Sequence, residues 1–169
     1  MAARAPLSLK ARALQWLAQR EHSRIELRRK LLRAARLRDH AVVDAGGDAD
    51  APHPAAEVDA LLDWLVANRH LSEPRFVESR VHAREARFGT RRIALELKQH
   101  GASLDADAAE RLRASEFERA RALWARRFGA LPPADAAGRA KQMRFLAGRG
   151  FAAEVIRRVV RGGSSGDDD

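Results

Sequence analysis

Apolar residues recur along the chain at the spacing of a helix. Val58, Leu61, Leu62, Leu65 and Val66 fall at i, i+3, i+4, i+7 and i+8, the stripe of a helix that turns one face to a core, and predict a helix over about 55–68. Before it lie two more. The first runs over about 8–20 with Leu14, Trp16 and Leu17, and the second to about residue 37 with Leu27, Leu31 and Ala34 along one face. Between these two, Ser23 followed three residues later by Glu26 reads as a capping box, in which each side chain satisfies the other's free backbone donor. Six further helices follow. The fourth opens at Ser72-Glu73-Pro74, turns Phe76, Val77, Val81 and Phe88 inward and stops at Gly89. Thr90 caps a fifth, with Ile93 and Leu97 one turn apart and Gly101 ending it. Asp105 opens a sixth. Ser115 with Glu118 forms a second capping box for a seventh, with Phe117, Ala120, Trp124 and Phe128 on one face; Asp135 caps an eighth, to about Gly148. The ninth, about 151–160, carries Val155, Ile156, Val159 and Val160. The polar stretch 38–54 and the tail 162–169 have too little apolar surface to fold and read as flexible.

Three windows align as an internal repeat: HSRIELRRKLLRA at 22–34, TRRIALELKQHGA at 90–102 and KQMRFLAGRGFAA at 141–153. Each is the middle helix of a three-helix group of about fifty residues. The chain is therefore expected to consist of an N-terminal arm (1–7), three repeats at 8–70 (with loop 38–54), 71–114 and 115–161, and an acidic tail (162–169). A unit that small buries little alone and shares interfaces only with its neighbours, so an elongated, curved, right-handed array is expected.

Composition agrees with an all-α fold: the 169 residues include 35 Ala and only 13 β-branched residues, and no Tyr. The absence of Cys excludes disulfides and thiolate chemistry. No window approaches the ~18 apolar residues of a membrane span. An N-terminal address is disfavoured, because Lys10 and Arg12 interrupt any apolar region and Leu14, Trp16 and Leu17 belong to a structural helix. A cytoplasmic location is the expectation.

Charge adds the functional clue. With 32 Lys+Arg against 23 Asp+Glu the net charge is +9, which points to an acidic partner. A helix-turn-helix DNA reader would set its third helix in the major groove, but the third helices of the first two repeats open with Glu57, Asp59 and Asp63 and with Asp105, Asp107 and Glu110. Only the last, with Arg157, Arg158 and Arg161, suits phosphate. The cations gather on and before the middle helices: Arg24, Arg28, Arg29, Lys30 and Arg33; Arg84, Arg87, Arg91, Arg92 and Lys98; Arg139, Lys141, Arg144 and Arg149. Stacked in similar orientation, these helices would form one basic, partner-binding face; taken singly, each arginine also fits a solvated helix face with i, i+4 partners. A general nucleic-acid-binding helical repeat is the alternative.

Nothing reads as catalytic, cofactor-binding or metal-binding. Glu78 and His82 lie one turn apart without a third ligand, and Gly46-Gly47 lacks the context of a phosphate loop. His22 reads as a packed residue at a helix junction, and Trp16, Trp64 and Trp124 as core.

Three blocks, LAQREHSRIELRRKL at 17–31, LSEPRFVESRVHAREARFGTRRIALELKQHG at 71–101 and RFLAGRGF at 144–151, resemble the RecX family of bacterial regulators in that order. The residues that carry the pattern are Ser23, Glu26, Leu27, Leu71, Phe76, Gly89, Ile93, Leu97, Gly101, Phe145, Gly150 and Phe151. Where the family usually has Gly before the Leu-Ser step this chain has Arg69-His70, so Asn68 is expected to take the left-handed conformation there. The resemblance implies three tandem three-helix modules without catalytic activity or cofactor. It further implies a monomer that binds the RecA recombinase and its filament on single-stranded DNA, inhibits RecA's ATPase, strand exchange and coprotease functions in recombination, repair and the SOS response, and touches DNA only weakly.

Overall fold

The computed structural model describes residues 7–44, 54–129 and 132–162, the side chains of 40–44 excepted. Among these there is no strand. The helices are α1 (Leu9–Gln19), α2 (Arg24–Asp44), α3 (Pro54–Ala67), α4 (Glu73–Glu85), α5 (Thr90–Gln99), α6 (Ala106–Ala114), α7 (Glu116–Phe128), α8 (Ala136–Gly148) and α9 (Ala153–Val160). They fall in order into three groups of three. Residues 1–6 of the arm, 45–53 of the loop, 130–131 and 163–169 of the tail lie outside the described residues. The expected loop 38–54 is shorter than its polar composition implied, because α2 continues as helix through Asp44 and α3 begins at Pro54.

The chain divides into two compact units, Met1–Phe76 and Val77–Asp169. In the first, Leu9 and Ala13 of α1 meet Leu27, Leu31, Ala34 and Ala35 of α2 and Val58, Leu62 and Leu65 of α3, with Leu71 closing the cluster. Burying each leucine contributes roughly 2 kcal/mol. Of the stripe expected on α3, Val66 is instead exposed, and Trp64 sits at the surface with Lys10 Nζ 3.5 Å from its ring centre and His70 stacked at 5.4 Å. An α-helix of this length has room for one buried seam, and here it is Val58, Leu62 and Leu65, packed in one cluster with Leu27 and Leu31 of α2.

In the second unit Phe117, Ala120 and Trp124 of α7, Leu146 of α8 and Phe151, Ile156, Val159 and Val160 form one cluster. The middle group buries Ile93, Leu97 and Leu112. The buried indole Nε1 donates to Gln142 Oε1 at 2.7 Å, which satisfies both polar groups.

Several caps differ from expectation. Ser8, Asp105 and Asp135 accept from Ala11, Ala108 and Gly138 N–H as N-caps do. Only half of the first capping box forms: Ser23 Oγ accepts from Glu26 N at 3.1 Å, while the Glu26 carboxylate turns to the Arg20 guanidinium. The second box is absent, because α6 runs into α7 through Ser115, whose hydroxyl bonds to Leu112 O and Arg119. Gly89, not Thr90, is the N-cap of α5. The left-handed residue after α3 is Arg69 (φ 59°), not Asn68, whose side chain instead donates to Trp64 O.

His22 is 1% exposed, with Nδ1 3.2 Å from Glu26 Oε2 but not aligned for a hydrogen bond. Burial lowers its pKa, the carboxylate acting the other way. Burial alone would raise Glu26, yet the bonds from Arg20 and the nearby His22 imidazole hold it at about 2. For the histidine the unfolded chain binds more protons as pH falls through 6.5, so stability is lost there; for Glu26, stability present above 4.5 is lost toward 2. Thermal melts across pH 7 to 2 should therefore show two declining stages, and His22→Gln should flatten the upper one while the lower one, sustained by Arg20, persists in reduced form. An unchanged upper stage in that variant would contradict the assignment.

Candidate partner-binding surface

In the first unit, the cations of α2 divide between two tasks. Arg24 Nη2 lies 2.6 Å from Asp63 Oδ1, Arg28 grips both oxygens of Asp59 at 2.6 and 2.9 Å, and Arg38 grips both of Glu57 at 2.9 and 2.7 Å. The acidic residues of α3, which as isolated charges would repel phosphate, form a ladder with α2. The Arg28 hydrogen bonds hold the Asp59 carboxyl below its ordinary range. Exposed pairs of this kind add little to stability, because solvent screens them. Their larger effect is to withdraw Arg24 and Arg28 from the pool of free cations. Lys30 lies over the Trp16 ring at 5.0 Å. Arg29 and Arg33 are exposed and make no ion pair among the described residues, and Arg36 joins them at i+7 from Arg29. Arg36 was missed in the sequence; its spacing was the available signal.

In the second unit the structure brings the middle helices of two groups together. Gly89 N donates to Arg149 O at 2.9 Å, and Gly150 (φ 81°) lies against Arg92 so closely that a Cβ there would stand 2.5 Å from Arg92 Cβ. Arg92 Nη1 donates to Gly148 O. The guanidinium groups of Arg92, Arg149 and Arg84 stand 4.6, 5.5 and 5.9 Å from the centre of the Phe88 ring, so Phe88 is a platform for cations rather than core. Arg149 also faces Phe145 at 5.3 Å. Arg84 is occupied further, by Glu96, with Arg80 on the same carboxylate. Arg87, Arg91, Lys98 and Arg144 are exposed and make no ion pair among the described residues; nor do Arg92 and Arg149.

The motif residues divide by role. Leu27, Leu71, Phe76, Ile93, Leu97 and Phe151 are buried, Gly101 and Gly150 take positive φ at helix ends, and Gly89 is the contact point of two turns. Two residues that sequence reasoning did not single out anchor the same junction. Glu116, 4% exposed, accepts from Thr90 N at 2.9 Å, and Arg119 donates to the carbonyls of Glu85, Phe88 and Leu112 at 2.9, 2.8 and 2.7 Å.

Among the described residues no group of three His, Cys, Asp or Glu side chains could hold a metal ion, and no helix is long and apolar enough to cross a membrane. The fold and this surface define an all-α protein of three-helix groups whose distinctive chemistry is a set of exposed arginines without ion pairs among the described residues. Residues 114–160 match the third three-helix domain of RecX. The chain is 49% identical to the regulatory protein RecX of Ralstonia nicotianae over 170 residues, 98% of this chain and 94% of that one. It is 49% identical to that of Leptothrix cholodnii over 162 residues (94% and 90%) and 46% identical to that of Herbaspirillum seropedicae over 168 (98% and 97%). The chain belongs to the RecX family of regulatory proteins.

Proposed function

We propose that the chain is a non-enzymatic regulator that binds the RecA filament on single-stranded DNA in the cytoplasm. As a monomer without cofactor, it inhibits RecA's ATPase, recombinase and coprotease activities and so modulates recombination, repair and the SOS response. Family membership supports the regulatory role. The observation that carries the binding mode is that Arg87, Arg91, Arg92, Lys98, Arg144 and Arg149 keep no carboxylate partner among the described residues. Unpaired cations fixed on packed helices are what an acidic filament surface would neutralise.

A titration of RecA ATPase on single-stranded DNA tests this. The rate should fall by more than half near equal protein. The triple variant Arg87→Glu, Arg91→Glu, Arg144→Glu should need at least tenfold more protein while keeping its helicity. Arg24→Glu with Arg28→Glu should act differently, lowering the stability of the first unit because each reversal sets two carboxylates against each other. An unchanged ATPase rate at excess protein, combined with tight binding to free DNA, would replace this reading with that of a general nucleic-acid binder.

A further inference from the structure

A cleft of about 560 Å³ opens between α5 and the C-terminal end of α8, lined among others by Arg91, Arg92, Leu95, Gln99, Ala147 and Gly148. We propose that it docks an acidic protein segment, seating an apolar side chain on Leu95 between carboxylates held by Arg91 and Arg92. The proposal rests on the reading above that the partner is a protein, and names what that partner presents.

Leu95 is 58% exposed on a helix that otherwise keeps its leucine and isoleucine, Leu97 and Ile93, fully buried. An isolated exposed leucine is ordinary on any surface. This one lies in a concavity beside Ala147, with two arginines at the same wall that make no ion pair among the described residues. The carboxylate in the cleft, Glu96, is engaged by Arg84 at 3.1 Å and Arg80 at 3.4 Å, so it does not neutralise Arg91 or Arg92. The walls are set in advance: Gly89 N bonds to Arg149 O, Arg92 bonds to Gly148 O, and Gly150 packs on the Arg92 backbone. A preformed wall spares the ordering cost of binding.

The same cations would attract single-stranded nucleic acid, but that ligand needs exposed aromatic faces for its bases. No Phe, Tyr or Trp lines the cleft, and the one ring in its wall, His100, is engaged through Nε2 by Arg80 at 3.2 Å. The nearby ring of Phe88 already carries guanidinium groups at 4.6 to 5.9 Å. A leucine flanked by Asp and Glu fits both the apolar wall and the charge.

Fluorescence anisotropy on the full chain tests this with three labelled probes: a twelve-residue peptide of Asp and Glu interrupted by two Leu, the same peptide with Ser for Leu, and a twelve-nucleotide oligo-dT. The leucine peptide should bind at least tenfold tighter than the serine peptide, and Leu95→Ser and Arg91→Glu should each weaken it at least fivefold with helicity unchanged. Equal affinity for the two peptides, indifference to Leu95→Ser, or tighter binding of oligo-dT overturns the proposal. The ATPase assay separates it from the reading on which it rests. Wild-type inhibition retained in full by Leu95→Ser sinks the cleft alone, whereas a wild-type chain that binds the leucine peptide yet never inhibits sinks the RecA reading alone.

Discussion

Gly89→Ala should destabilise the second unit by about 3 kcal/mol, at the upper end of what an overpacked contact costs. In a unit of this size that is a fall of roughly 12 °C or more in thermal midpoint. Gly89 has φ −77° and ψ 166°, which alanine adopts freely, so the penalty is steric and not conformational. A Cβ at this position would lie 2.4 Å from Gly150 C, Gly150 O and Phe151 Cα. All three are backbone atoms, and the turn that carries them is tied to Gly89 by the Arg149 carbonyl, so neither side can yield without breaking that bond. Gly148→Ala supplies the control. It lies at the end of α8 with open space where a methyl group would stand, and alanine there should raise stability by about 0.5 kcal/mol. Circular dichroism melts of the two variants should thus move in opposite directions. A Gly89→Ala midpoint within 2 °C of wild type would show that the two turns are not in the contact described.

Gly89 and Gly150 also mark the limit of what could be read from the sequence. Both were recognisable as punctuation, one ending a helix and one following another, because glycine at a helix end has a local cause. That they touch each other does not follow from local cause, since nothing in either window specifies the other. The same holds for the charges. Glu57, Asp59 and Asp63 were legible as an acidic helix start and Arg24 and Arg28 as a basic one, but the register that sets Asp59 against Arg28 and Asp63 against Arg24 is a property of how α2 and α3 pack. Periodicity and caps found each helix of the described residues, and periodicity found the buried Leu27, Leu31, Leu62, Leu65 and Leu97 but not Leu9 or Leu112. It failed where one helix offers more apolar residues than its seam can hold, as at Val66 and Trp64, and where a side chain serves a tertiary rather than a local role, as with Ser115.

The resulting division of arginines gives the basic surface its meaning. Counting charge along the sequence treats all cations as equivalent, whereas the structure sorts them into those bound to carboxylates, those bound to backbone carbonyls and those left for solvent or partner. Arg24, Arg28, Arg38 and Arg84 belong to the first class and Arg119 to the second; Arg87, Arg91, Lys98 and Arg144 make no ion pair among the described residues. Mutations in the first two classes should be read in stability, and those in the last in partner affinity.

Arg119→Met gives the sharpest case of a stability arginine. Burial lowers the pKa of its half-buried guanidinium, with Glu116 and Glu85 opposing, and the side chain remains charged. Its donors reach Glu85 O, Phe88 O, Leu112 O and Ser115 Oγ, with Thr90 Oγ1 at the edge of range. One planar fork therefore ties the end of α4, the turn before α5 and the end of α6 to α7. Methionine keeps the apolar stem but leaves three carbonyls without that donor and Glu116 without its neighbouring cation. Each hydrogen bond to a charged group contributes about 1.5 to 3 kcal/mol and the losses are not additive, so about 3 to 4 kcal/mol is expected for the set. Lysine should recover only part of this, because an ammonium has three donors at one point where the guanidinium spreads five across a plane. Hydrogen exchange gives the discriminating readout: amides of residues 86–93 should lose protection in Arg119→Met before those of α9, since the turn loses its anchor while the apolar cluster of α7 to α9 stays intact. Uniform loss of protection across the second unit, or a midpoint within 2 °C of wild type, would remove Arg119 from this role.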